Sequence, residues 1–182
     1  MKSVRALGRT PRSLPLSADD ITELHAARLL LLFHHCGSGE KIEGLTKLAK
    51  LDFFVRYPNF FERVARHLGK AILVASDQAE SPMVRHHYGP WDKRYYQVLA
   101  FLEARGLITV KKRGSTYDFI LTKLGQERAK TLTKSQPFTP LIEQMKAVKK
   151  LLGRKNGTQL KNIVYEIFDE EVKQRRLGEL IK

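Results

Sequence analysis

Apolar positions recur at helical spacing along most of this chain and switch to a β-rich pattern in one place. Asp20-Ile21-Thr22-Glu23 offers a side-chain cap followed three residues later by a glutamate. The helix predicted there begins near Ser17 or Asp20, runs to about His35 and stops at Gly37-Ser38-Gly39. Its region of Leu24, Ala27, Leu31 and Phe33 is too apolar for a surface position and predicts central core. Residues 45–57 place Leu45, Leu48, Ala49, Leu51, Phe53 and Phe54 on a broad apolar face, with Lys47 and Lys50 opposite. Pro58 stops that helix and Asn59 is positioned to cap the next. Phe60, Phe61, Val64 and Leu68 then make a short amphipathic helix ending at Gly69.

Residues 71–74 suit strand and helix equally, and 76–82 have the composition of an exposed loop. Gly89-Pro90 breaks the chain before Trp91. A helix over 91–105 follows, with Tyr95, Val98, Leu99 and Leu102 inward and Gly106 as its C-cap. His87-Tyr88-Gly89-Pro90-Trp91-Asp92 reads as a fold determinant, with proline at the helix start and aromatics clamping helix to core. The period then changes: 107–112 and 117–122 are β-rich runs separated by Arg113-Gly114-Ser115-Thr116, the pattern of a hairpin. Thr122 or Lys123 opens another helix to about Leu132, and Pro137 and Pro140 mark a linker. Leu141, Ile142, Met145, Val148, Leu151 and Leu152 lead to Gly153. After the turn Arg154-Lys155-Asn156-Gly157, Leu160, Ile163, Val164, Ile167 and Phe168 give a last helix. These two apolar faces either complete the core or form a docking face.

The predicted fold class is mainly α with a small β-hairpin. Helices, then a helix directly before a two-stranded hairpin with a basic tip, then another helix, is the order of a winged helix-turn-helix domain, here with a C-terminal helical extension. The expected organisation is a flexible basic arm over 1–16, the winged-helix domain over 17–134 and a helical subdomain over 135–182. In that architecture residues 91–105 take the recognition position and the hairpin is the wing. Lys93, Arg94, Gln97, Lys111, Lys112 and Arg113 are then the candidate DNA contacts. Lysine and arginine at a wing tip replace counterions along the phosphate backbone, and glutamine or arginine on a groove-facing helix reads base edges. The same hairpin charges would also keep an edge strand soluble, and winged domains also serve as protein docking units.

Charge strengthens the nucleic-acid reading. The 182 residues carry 33 lysines and arginines against 19 acidic residues, a formal charge of +14, and 42% are hydrophobic. That apolar fraction excludes disorder as the main state and suffices for a core without disulfides or a structural metal. One cysteine, Cys36, forms no intrachain bridge and suits a reducing, cytoplasmic setting. The longest apolar run, residues 29–33, is far short of the roughly 20 that span a membrane. No segment pairs a strongly basic face with a wide exposed apolar face, so a membrane-surface partner is not expected.

Catalytic and metal chemistry find little footing. His34-His35-Cys36 and His86-His87 have ligand side chains, but adjacent helical residues project about 100° apart and no Cys-x-x-Cys or His-x-x-x-His pair occurs. No nucleophile elbow, Walker loop or dinucleotide fingerprint is present, and nothing asks for a cofactor. Glu171-Val172-Lys173 has the carboxylate-x-lysine spacing of metal-dependent nucleases, yet it sits in a charged, helical-looking tail without a partner acid. No catalytic residue and no metal ligand is assigned.

Four segments resemble the middle component of bacterial ABC-three-component systems: Gly44-Leu45-Thr46-Lys47-Leu48-Ala49-Lys50-Leu51-Asp52-Phe53, Arg56-Tyr57-Pro58, Tyr88-Gly89-Pro90-Trp91 and Leu102-Glu103-Ala104-Arg105-Gly106-Leu107-Ile108. The likeness covers residues 28–168. Members of that family are encoded beside an SMC-like, recombination-type ATPase and a third protein, and are similar to the small accessory subunit of Lamassu-type antiphage and antiplasmid defence. The resemblance implies a non-catalytic accessory subunit whose partners are the ATPase, a third effector subunit and DNA. Thr46-Lys47-Leu48-Ala49-Lys50-Leu51 followed by Tyr88-Gly89-Pro90 also resembles Panacea-type antitoxin domains, which pair with toxins. A stand-alone winged-helix transcription regulator or antitoxin is the alternative function.

Overall fold

Helix α1 (Thr22–Cys36) is apolar around most of its circumference, and the rest of the chain wraps it. Leu29 to Phe33 and Cys36 are all buried, as an all-round apolar helix requires. The computed structural model describes residues 21–71, 83–87, 89–169 and 176–181. The expected arm over 1–16, the Ser17 or Asp20 cap, most of 71–82, Tyr88 and Glu171-Val172-Lys173 lie outside the described residues. Leu24, expected in the core, is 41% exposed. It belongs to the first turn of α1, where fewer elements cover the helix.

Strand β1 (Lys41–Glu43) follows a tight turn in which Gly39 and Glu40 both take φ near +60°. This strand was not expected: three residues are too few to show an alternating pattern. Helix α2 (Leu45–Arg56) is buried from Leu48 to its end. Helix α3 (Pro58–His67) starts at Pro58, with Tyr57 in the N-cap position. Asn59 therefore lies inside the helix rather than capping it, because proline's fixed φ and missing N–H suit the first helical position.

The stretch expected to open the recognition helix does something else. Strands β2 (Val84–His86) and β3 (Gly89–Trp91) form an antiparallel hairpin in which Arg85 pairs with Pro90. Helix α4 (Tyr95–Ala104) starts four residues after Trp91. Asp92 sets that start: its carboxylate accepts the Arg94 backbone N–H at 2.9 Å, and its carbonyl accepts from the Tyr95 N–H at 3.2 Å. Residues 180–181 extend the hairpin through a bridge between Leu180 and Val84 and a bond from the Ile181 N–H to the Met83 carbonyl, 2.8 Å.

Strands β4 (Ile108–Arg113) and β5 (Thr116–Leu121) form the hairpin read from the sequence, closed by Gly114-Ser115 with Gly114 at φ +60°, as a type II′ turn requires. The sheet order is β1–β5–β4, all antiparallel, with Ile42 opposite Phe119 and Phe119 opposite Val110. Its inner face puts Ile42, Ile108, Phe119 and Leu121 into the core, where Phe119 meets Phe33 of α1.

Helix α5 (Lys123–Thr133) is capped by Thr122, whose hydroxyl accepts from the Gly125 N–H at 3.0 Å. A 3-10 turn (Gln136–Phe138) leads to α6 (Thr139–Leu152). A capping box of Asn156 and Gln159 then opens α7 (Gly157–Ile167). Of the two readings open for these last helices, core completion is the one observed. Ile142, Met145, Val148, Leu152, Leu160, Val164 and Phe168 are buried in one cluster with α1 and α2. Two lysines lock this packing. Lys149 donates to the Cys36 and Gly37 carbonyls at 3.1 and 2.5 Å, and Lys47 donates to the Gly153 carbonyl at 3.0 Å, each at a helix C-terminus. The molecule is thus mainly helical, with a small three-stranded antiparallel sheet. No helix among the described residues is long and apolar enough to cross a membrane.

Candidate nucleic-acid interface

Cross-strand register decides which hairpin cations are available. Lys112 stands opposite exposed Tyr117, while Lys111 and Arg113 share the other face with Asp118. Arg113 Nε lies 3.2 Å from Asp118 Oδ2, and its Nη2 lies 3.4 Å from Glu43 Oε2. Lys41 adds contacts of 2.6 Å to Glu43 and 3.7 Å to Asp118. Arg113 is thus the end of an ion ladder across β1, β5 and β4, whereas Lys111 and Lys112 are exposed without an ion-pair partner among the described residues.

The other three candidates sit around the start of α4 and diverge. Lys93 is exposed in the turn before the helix. Gln97 is exposed and reaches Thr22 Oγ1 of α1 at 3.4 Å. Arg94 turns inward: its Nε donates to Asp92 Oδ1 at 2.9 Å and its Nη2 to Asp92 Oδ2 at 2.8 Å, a bidentate pair.

That pair opens a buried network that the residue spacing did not announce. Asp92 also accepts from Arg56 Nη1 at 2.8 Å, and Asp52 accepts from Arg28 Nε at 3.0 Å and from the Tyr95 hydroxyl at 2.7 Å. Arg28 Nη1 and Arg94 Nη1 lie 2.9 Å from the two ring nitrogens of His25. A guanidinium only donates and a neutral imidazole has one accepting nitrogen, so His25 accepts from at most one of the two arginines. Burial alone would raise the Asp92 carboxyl, but hydrogen bonds from Arg94 and the charges of Arg56 and Arg94 outweigh it and hold it well below the carboxylate range. Burial, then the neighbouring Asp52 charge, pushes the Tyr95 phenol up. The network fixes the entry of α4 against α1 and α2. A signal for it did exist: Arg28, Asp52 and Arg56 are charges set inside apolar runs, where only paired charges survive burial.

Lys50, assigned by helical period to the solvent side, is fully buried. The hairpin and α7 cover that side of α2, and the Lys50 ammonium donates to the Pro90 carbonyl at 2.8 Å. Burial pushes it down to about 7. The segments Gly44 to Phe53 and Tyr88 to Trp91, quoted above for the family resemblance, meet through this bond.

The histidine and cysteine groups spread to different partners. His34 bonds Glu40 at 2.9 Å, His35 bonds Thr133 of α5 at 3.0 Å, and the Cys36 thiol donates to the Met145 carbonyl at 3.3 Å. Burial lowers His35, helped by His34 and Lys146, and raises the Cys36 thiol to about 12. No group of three potential ligands stands together among the described residues. Comparison with protein families, with curated proteins and with solved structures returned no match.

Proposed function

We propose that this chain is a non-catalytic accessory subunit that engages DNA for an SMC-like ATPase complex of bacterial antiphage or antiplasmid defence, alongside a third effector subunit. The observation that carries the DNA half of the reading is the hairpin after α4, which holds Lys111 and Lys112 in solvent while Arg113 is engaged along the sheet. The topology supports it. We read the order α1, β1, α2, α4, β4, β5 with sheet order β1–β5–β4 as compatible with a winged helix in which α3 and the β2–β3 hairpin are insertions before α4. Lys93 and Gln97 flank the exposed start of α4 as further contacts, and Arg94 acts by positioning that helix. The ATPase half rests on the family resemblance. Because the apolar faces of α6 and α7 are spent in the core, docking falls to other surface.

The test is co-expression with the products of neighbouring genes, purification through a tag on this chain and native mass measurement. A large ATPase in the complex, together with duplex binding by the purified chain, supports the reading. A lone dimer that shifts its own upstream DNA makes it a stand-alone regulator instead.

A further inference from the structure

We propose that the cleft between the β2–β3 hairpin, the start of α4 and residues 177–178 receives an unpaired base of single-stranded nucleic acid, with the adjoining phosphate on Lys93. This deepens the DNA-engaging reading and rests on it. The cleft has a volume of about 230 Å³. Whole small-molecule ligands occupy roughly 300–1,000 Å³, so this space suits one planar ring system rather than a complete nucleotide cofactor.

Its walls favour such a ring. Trp91 stacks on His86 with centroids 4.9 Å apart and planes 24° from parallel, and Tyr96 leans against Trp91 at 5.8 Å. Tyr96 is 64% exposed although its neighbour Tyr95 is in the core, and Leu177, which also lines the cleft, is 53% exposed. Lys93 lines the cleft and is exposed, and no carboxylate lines it among the described residues. Aromatic faces with a cation beside them bind single strands without sequence preference, because every base has a stacking face and carries a phosphate. A peptide side chain would use the apolar walls but not the cation, and the +14 charge of the chain attracts a polyanion.

The experiment measures anisotropy of a fluorescein-labelled oligothymidylate and of a labelled duplex with the full chain. Because Tyr96 is exposed, Tyr96→Ala leaves the core intact, which a thermal melt checks. Tyr96→Ala is expected to weaken oligothymidylate binding about 5- to 150-fold, Tyr96→Phe to retain it, and neither to change duplex binding. Lys93→Gln should lower the salt slope for oligothymidylate by about one counterion. Wild-type oligothymidylate affinity in Tyr96→Ala, with duplex binding still dependent on Lys111 and Lys112, overturns the cleft proposal and leaves the DNA-engaging reading standing. Absence of binding to either probe removes both. Loss of a co-purifying ATPase in Tyr96→Ala, with oligothymidylate affinity unchanged, makes the cleft a protein-docking site and overturns the proposal.

Discussion

Lys50 is held out of water with one backbone acceptor, and burial lowers its ammonium from 10.5 to about 7. Between those values the unfolded chain binds more protons at this site than the folded one, so the lysine makes stability rise with pH by up to about 1.4 kcal/mol per unit. Cys36 acts oppositely only above pH 9.0, because its folded thiol stays protonated to about 12. Urea denaturation from pH 7 to pH 9 should therefore show a rising component that Lys50→Met abolishes; identical slopes in both proteins would contradict the burial argument. Asp92 has the same sign in a more acidic window. Its carboxyl is held below the ordinary 3.8, so its stabilisation is complete above that pH and is lost as acid protonates it. Asp92→Asn leaves Arg56 and Arg94 without their shared carboxylate and should cost about 3–5 kcal/mol at neutral pH, with the deficit narrowing below pH 4 in the same assay. Helical period correctly sorted Leu48, Leu51, Phe53 and Phe54 to the core. It misplaced Lys50 because a period counts hydrophobicity on one helix, whereas burial depends on what other elements arrive.

Helices were legible because each repeats its apolar signal over nearly three turns or more, with side-chain caps adding to the signal at α5 and α7. The three-residue strands β1, β2 and β3 were not, since their pairing partners are remote or run through Pro90. Helix α5 shows how an element is judged by its neighbour. A glycine in a helix interior ordinarily costs about 1 kcal/mol against alanine, so Gly125→Ala looks stabilising from sequence. A Cβ there would stand 2.0 Å from the Leu107 carbonyl oxygen. The substitution should instead destabilise by about 1–3 kcal/mol, read from the shift in denaturation midpoint; a gain in stability would mean that α5 is free to slide. For the β4–β5 hairpin, Lys111→Gln with Lys112→Gln should lower the salt dependence of duplex binding by about 1.8 in log K per log salt, at about 0.9 per phosphate contact. Arg113→Gln should change it less, because its guanidinium is engaged by Asp118 and Glu43. Equal effects at all three positions would show the ladder open in solution.

At the scale of the whole molecule, α6 and α7 are structural. They bury Met145, Val148, Leu152, Leu160 and Val164 against the first two helices, and Lys149 satisfies the terminal carbonyls of α1. A chain ending at residue 134 should therefore lose cooperative unfolding rather than merely a docking face, and circular dichroism through a thermal ramp decides it. A sharp transition in that fragment would show that the core closes without them. Most helices, the β4–β5 hairpin with its turn and the net positive charge can be read along the chain, because periodicity and charge are local properties; the start of α4 cannot, since β3 occupies residues 89–91. It took the packing of distant segments to join β1 to the hairpin in a three-stranded sheet, to engage Arg94 and Arg113 while Lys111 and Lys112 keep no ion-pair partner among the described residues, to bury Lys50 against the Pro90 carbonyl and to bury Asp52, Arg56 and Asp92 together. Those outcomes depend on which distant segments meet, and a charge spaced for solvent is neutralised or buried when another element brings its counterpart.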